Sequence, residues 1–444
     1  MHHPAQKACC ASVMLFLLAY LFQPHGEVLS ITADEAVELA AKNNRTIQAL
    51  GHQLNAADLG VKSAVTGFLP QASLNGTMTR KSGNDMMTKM TESDLLNSYN
   101  IVIGIQQPIF TGFATLNGLL TAKTARSLQE TTSEKTKKLI RYSVLQVYWG
   151  IVTLEKSSAV AAQAVRQLEE MTSNQEAMLD QGMTTEHDYL LSKASLAQAR
   201  TSELNVGKNI SSMKRRFAVL LGLPVNTKII LADTSAAQPV GPVSDRDSLV
   251  KDMAENRTDI VESRLRLQMS DLSVKMARAA YFPTLVAGFN YQTDRPSFGI
   301  SGQGFAQLDE FQDDWNVFLQ FNFTIFTWGD RYFKVKKANE EYKALYENFE
   351  QKKSSVENEA LGAYETYKYE NSVFESAVLL ADAREKAYDA SRAKYKEGVI
   401  TMYELLNTHS DFINARFQSL QAAADLELAR INMELGGLGT SGSQ

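Results

Sequence analysis

The chain has 444 residues, with 45 Lys and Arg against 50 Asp and Glu, a formal net charge of −5 and a slightly negative mean hydropathy. This balance excludes a bundle of membrane-spanning helices, and beyond the N-terminus no apolar run reaches the roughly eighteen residues such a helix needs. A mildly acidic chain without a basic block is a poor partner for nucleic acid, so any membrane crossing must be made by strands.

Residues 1–30 read as a secretory signal peptide. His2, His3 and Lys7 form a weakly basic start, and Ala11 to Phe22 is apolar but too short to span a bilayer. A buried N-terminal helix is the alternative, but the polar stretch Gln23 to Glu27 ends the run abruptly. Cleavage is expected after Gly26 or after Ser30. Cys9 and Cys10 precede the apolar run, so they do not form a lipoprotein acylation site, and they are the only two cysteines. The processed chain is therefore expected to lack disulfides and thiolate chemistry. Removal of the segment takes away Lys7 and Glu27 together, leaving the charge at −5.

The first element of the processed chain is predicted to be a helix of about 35 residues. Thr32 and Glu35 have capping-box spacing at its start, and Pro70 stops it just beyond Gly67. Two strands follow. From Gln71 to Thr79 the chain alternates strictly, with Ala72, Leu74, Gly76 and Met78 on one face; its partner carries Tyr99, Ile101, Ile103 and Ile105 on one face. Period two with one apolar face is the mark of a half-buried strand. No proline occurs from 109 to 223, and Gly112 to Gly182 is predicted as one helix of about 70 residues, roughly 100 Å long. Gly182 ends it, and a shorter helix runs over about 184–221.

The plan then repeats. Asp58-Leu59-Gly60-Val61-Lys62 returns as Asp271-Leu272-Ser273-Val274-Lys275, and Phe68-Leu69-Pro70 returns as Tyr281-Phe282-Pro283, at a constant offset of 213. Ile109-Phe110-Thr111 matches Ile325-Phe326-Thr327 and Gly182 matches Gly398 at an offset of 216, so three residues were gained within the second hairpin. The domains expected are a first repeat over 31–222 with a hairpin at 70–110, a linker at 223–243, a second repeat over 244–438 with a hairpin at 283–326, and a tail at 439–444. The second pair of strands presents Leu285, Ala287, Phe289 and Tyr291, then Trp315, Val317, Leu319, Phe321 and Phe323, each on one face. The second long helix, Gly329 to Gly398, carries a seven-residue ladder of Ala360, Tyr367, Phe374, Ala381, Tyr388 and Tyr395, which implies coiled-coil packing. Residues 401–435 form the last helix.

Four strands cannot close a barrel, and an open sheet edge is not viable in lipid; three copies would supply twelve strands and remove the edges. Leu74, Ile101, Ile103, Ile105, Leu285, Phe289, Val317, Leu319 and Phe321 would then face lipid, and the polar rows a water-filled lumen. A soluble hairpin sheet packed on helices is the alternative, but it does not account for helices far too long for a compact domain. The fold class expected is mainly α, with a long coiled-coil-like helical barrel and a membrane β-barrel.

The opening Ile31-Thr32-Ala33-Asp34-Glu35-Ala36, the helix-to-strand motifs Phe68-Leu69-Pro70 and Tyr281-Phe282-Pro283, the strand-to-helix motifs Ile109-Phe110-Thr111-Gly112 and Ile325-Phe326-Thr327-Trp328-Gly329, and the two tip glycines occur in order and twice over. On these the processed chain resembles the TolC family of outer-membrane channels along essentially its whole length. The resemblance implies a homotrimeric, passive duct in the outer membrane of a Gram-negative-type cell, with a long periplasmic extension. It also implies a periplasmic adaptor and an inner-membrane pump or ABC exporter as partners, in efflux or type I secretion.

Matched from the tip glycine, Glu404 and Asn407 take the two constriction-ring positions, and Asp188 and Tyr395 take positions in the gating network. Three Glu404 carboxylates around one lumen would favour cations; Asn407 is neutral where the family often has an acid, which leaves ion preference open. The arginine expected two residues after the second glycine is Ile400. The turns Gly182-Met183-Thr184 and Gly398-Val399-Ile400 are expected to expose apolar groups to an adaptor; plain capped turns and solvated carboxylates are the bland alternatives for all these residues. His52, His187 and His409 lack metal-ligand spacing, and His187 and His409 are expected at the surface near the tips. Gly302-Gln303-Gly304 is read as a flexible loop. No nucleophile elbow or HExxH occurs, so no enzyme activity, cofactor or metal is expected. A periplasmic coiled-coil scaffold without a pore is the alternative from another class.

Overall fold

The computed structural model describes residues 29–82, 95–232, 251, 253, 255–295, 300–301, 304–305 and 312–435. Most of the expected signal peptide, linker positions 233–243, Gly302 and Gln303, and the tail 439–444 lie outside the described residues, as does much of both hairpin loops.

β1 (Leu29–Ile31) leads into α1 (Ala33–Asn43). The expected capping box is formed: the Thr32 hydroxyl accepts from the Glu35 amide at 3.3 Å, and the Glu35 carboxylate accepts from the Thr32 amide at 2.8 Å. The single 35-residue helix is not. The chain turns extended at Asn44 and restarts as α2 (Arg45–Thr66). The Asn44 side chain accounts for the break, since its Oδ1 accepts from the Thr46 amide at 2.9 Å while its Nδ2 donates to the Leu220 carbonyl at 2.8 Å. A short amide bonded to nearby backbone competes with the helix's own hydrogen bonds.

β2 (Gln71–Ser82), β3 (Leu95–Phe110), α3 (Ala114–Asp180), α4 (Glu186–Leu220) and β4 (Ile229–Leu231) follow. Then come α5 (Thr258–Ala279), β5 (Thr284–Arg295), the short β6 (Ile300–Ser301) and β7 (Gly304–Phe305), β8 (Gln312–Asn322), α6 (Asp330–Lys396) and α7 (Met402–Glu434). α5 starts 213 residues after α2, and α6 starts 216 after α3, at the offsets of the sequence repeat. Each long helix opens on two consecutive left-handed residues, Gly112-Phe113 and Trp328-Gly329. Gly112 is required sterically as well, because a Cβ there would stand 2.5 Å from the Ala279 carbonyl oxygen.

Contacts divide the chain into two units. One takes the described residues of Met1–Leu50, Glu134–Arg257 and Ser355–Gln444, and the other Gly51–Ser133 and Thr258–Ser354. In the first unit β1 pairs in parallel with β4 over a core that includes Ala36, Ala40, Val144, Tyr148, Ile151, Phe217 and Leu221. β4 lies in what reads as plain linker, since three residues are too few to show a period. Leu29 and Ser30 belong to β1, so cleavage after Gly26 leaves that strand whole and cleavage after Ser30 does not.

The second unit holds an antiparallel sheet in the order β2-β3-β5-β8. Its register places Leu74 opposite Ile103, Ile103 opposite Tyr291 and Tyr291 opposite Trp315; the next row is Ala72, Ile105, Phe289 and Val317. Paired residues share a face, so the apolar sets from four separate segments form one continuous surface. The other face carries Ser73, Gly104, Asn290 and Asn316 in one row and Gln71, Gln106, Gly288 and Phe318 in the next. β8 ends at Asn322, so Phe323, expected on the apolar face, lies beyond the strand.

Candidate functional site at the helix tips

Both tips are built the same way. The Gly182 amide donates to the Leu179 carbonyl at 2.9 Å and the Met183 amide to the Met178 carbonyl at 2.8 Å; Gly398 and Val399 do the same to Tyr395 and Lys394 at 3.0 and 2.9 Å. These are Schellman caps, which need a left-handed residue after the helix. Gly182 and Gly398 supply it at φ 71° and 74°, with open space where a Cβ would sit. Three residues on, Thr185 and Thr401 start α4 and α7, each hydroxyl accepting at 3.2 Å from the amide of Asp188 and Glu404 respectively. The Glu404 carboxylate accepts from the Thr401 amide at 3.0 Å, and Asp188 accepts from the Thr185 hydroxyl at 3.0 Å. The two carboxylates singled out from the sequence are thus repeat-equivalent helix caps.

The structure brings Tyr395 and Thr184 together through a residue that sequence reasoning missed. Gln175, only 2% exposed, donates from Nε2 to the Tyr395 hydroxyl at 2.6 Å and accepts from the Thr184 hydroxyl at Oε1 at 3.0 Å. Burial raises the Tyr395 pKa; the Gln175 bond partly offsets this and the Asp188 charge adds to it. Tyr395 and Asp188 line one cavity of about 820 Å³ with Gln175, Met171, Met178 and Arg392. Glu404 and Asn407 are not part of it, and both lie exposed on α7.

A signal for Gln175 was present: it follows Ala161 and Leu168 at seven-residue steps, and all three are buried. A polar residue on the packed seam of a coil demands a partner.

Two expectations are corrected here. His409 is not at the surface. It is 3% exposed, its Nε2 bonds Gln167 Oε1 at 3.0 Å, and its ring meets Tyr388 edge-on at 5.1 Å; burial lowers its pKa to about 4. His187 is exposed as expected. Of the tip apolar residues, Met183 and Val399 are exposed, but Ile400 packs against the buried cluster of Leu168, Tyr388, Met402, Leu405 and Phe412. An apolar side chain fills the place where the resemblance led to an expected arginine.

Long helices ending in matched glycine tips, and a four-stranded sheet apolar on one face, define the class: a membrane channel of strands with a helical extension. Known proteins agree. The outer membrane efflux protein family matches residues 36–223 and 249–435, and the chain belongs to that family. OprJ, an outer membrane protein of Pseudomonas aeruginosa, is 23% identical over 399 residues, covering 85% of this chain and 78% of OprJ. The pyoverdine export outer membrane protein OpmQ of Pseudomonas putida is 24% identical over 286 residues; that match spans 62% of this chain and only 58% of OpmQ. The solved structure of the Campylobacter jejuni CmeC outer membrane channel superposes with a TM-score of 0.77 at 16% identity, over 94% of this chain and 90% of CmeC, which shows the shared fold. This is an outer-membrane efflux protein, and the pore-free scaffold reading is set aside.

Proposed function

We propose that three copies of the chain form a passive duct through the outer membrane, opened at its helix tips by a periplasmic adaptor that joins it to an inner-membrane pump. The observation that carries this reading is the sheet. Among the described residues its edge strands β2 and β8 each have a neighbour on one side, and on one face two successive rows, Leu74-Ile103-Tyr291-Trp315 and Ala72-Ile105-Phe289-Val317, are apolar on all four strands. Pairing β8 of one copy with β2 of the next closes a twelve-stranded barrel and leaves no edge in lipid. In that barrel Leu74, Ile101, Ile103, Ile105, Leu285, Phe289, Val317, Leu319 and Phe321 face lipid, and the Asn, Gln and Ser rows line water.

In this reading Glu404 and Asn407 on the exposed face of α7 ring the constriction. Tyr395, bonded through Gln175 to Thr184, and Asp188, bonded to the adjacent Thr185, hold the helices closed. Met183 and Val399 at the tip turns, with Gly182 and Gly398 setting their direction, meet the adaptor. The duct moves cargo without chemistry of its own. The native mass of the protein extracted from outer membranes in detergent tests the assembly. A trimer is expected, and a monomer that needs no detergent would overturn it.

A further inference from the structure

Phe318 is the one large apolar residue of β8 on the polar face of the sheet; Trp315, Val317, Leu319 and Phe321 lie on the other. It sits opposite Gly288 in the register, and it is half-buried where its strand neighbours Val317 and Leu319 are exposed. A Cβ built on Gly288 would stand 2.5 Å from Phe318 Cε1 and closer still to Cζ. The far end of the ring therefore lies directly over the glycine, flat along the wall. An aromatic side chain laid across a cross-strand glycine is a stable arrangement, because the ring covers backbone that would otherwise be bare.

Resting on the barrel assembly proposed above, we propose that Gly288 sets the bore of the duct by giving the Phe318 ring a place to lie against the lumen wall. The rows on either side are Ser73, Gly104, Asn290 and Asn316 towards the hairpin ends, and Pro108, Val286 and Gln320 towards the helices. No side chain in these rows is larger than an amide. Any β-branched residue at position 288 occupies the space of the ring. The clash is with the tip of a rotatable side chain and not with backbone, so the ring moves and the strand stays. Three such rings, one per copy, would then project into the lumen at one height. Gly288 thereby selects for the bulk of the cargo, at a place far along the chain from the tip residues that gate it.

The test uses the full chain with Cys9 and Cys10, its two cysteines, replaced by Ser. A single Gln320→Cys lies on the lumen face just to the helix side of Phe318, so a reagent entering from outside the cell must pass the ring. Labelling rates are compared for a small charged maleimide and a long polyethylene-glycol maleimide, on variants recovered as trimers from outer membranes. Adding Gly288→Val should slow the long reagent several-fold while leaving the small one unchanged, and adding Phe318→Ala as well should restore the long reagent. Unchanged rates with Gly288→Val, or no rescue by Phe318→Ala, would overturn the proposal while leaving the barrel intact. Failure of the small reagent to reach Gln320→Cys while it reaches Leu319→Cys would show that the faces are reversed, and the barrel reading would fall first.

Discussion

Acidification should loosen the tip through His409. The imidazole is buried against Gln167 and Tyr388, whose ring stacks on Phe412, and it lines a cavity with Leu168, Ser195, Gln198, Ser202 and Asn414, none of them ionised. Of the charged residues that follow it on α7, Asp411 pairs with Arg384 at 2.9 Å, and Arg416 bonds Gln163 at 3.3 Å while lying over the Phe412 ring. The Gln167 acceptor carries no charge to offset an imidazolium, and burial lowers the pKa from 6.5 to about 4. A folded-state pKa below the unfolded one means that the unfolded form binds the proton more readily. Stability is therefore full above pH 6.5 and is lost as pH falls through the window down to about 4. The whole loss amounts to about 3 kcal/mol, and by pH 5.5 the opening equilibrium should already have shifted by about tenfold. Hydrogen–deuterium exchange over 402–414, corrected for the intrinsic effect of pH on exchange, measures it in the intact protein. His409→Leu should give a protection that does not change between pH 7.5 and 5.5. If the unaltered protein is equally flat, or His409→Leu falls just as far, the imidazole does not control the tip.

Three further outcomes are expected. Ile103→Lys places a charge at mid-strand on the apolar face, at a penalty of about 2–4 kcal/mol in a bilayer, and should deplete the protein from the outer-membrane fraction; normal recovery would mean that this face does not meet lipid. Glu404→Gln keeps an acceptor for the Thr401 amide, so the helix cap survives and only charge is lost. Reversal potentials in planar bilayers should then shift away from cation preference, and unchanged potentials would take Glu404 out of the lumen. Tyr395→Phe strands the buried Gln175 amide at a cost of about 1–3 kcal/mol. The tip should exchange faster and admit large hydrophilic solutes, whereas equal exchange would show that the Gln175 link carries no load.

Local chemistry made much of this protein legible before any coordinates. The strand faces follow from period two, so the residues that line up across β2, β3, β5 and β8 could be named one strand at a time. Gly182 and Gly398 stop their helices because only a left-handed residue can close the cap, and Thr32 starts α1 because its hydroxyl meets an amide three residues on. These are interactions within a few residues, and the sequence by itself determines them. Other features depend on groups brought together from far along the chain. Asn44 breaks a helix that its own neighbours would continue, held by a carbonyl 176 residues away. Gln175 finds Tyr395 across 220 residues, and His409 finds Gln167 across 242, so both become buried where composition alone reads polar and exposed. Phe318 lies over Gly288 only because the register of β5 and β8 sets them opposite. Tertiary structure decided these points because burial and partnership are properties of the place where helices and strands meet, and no local period encodes them.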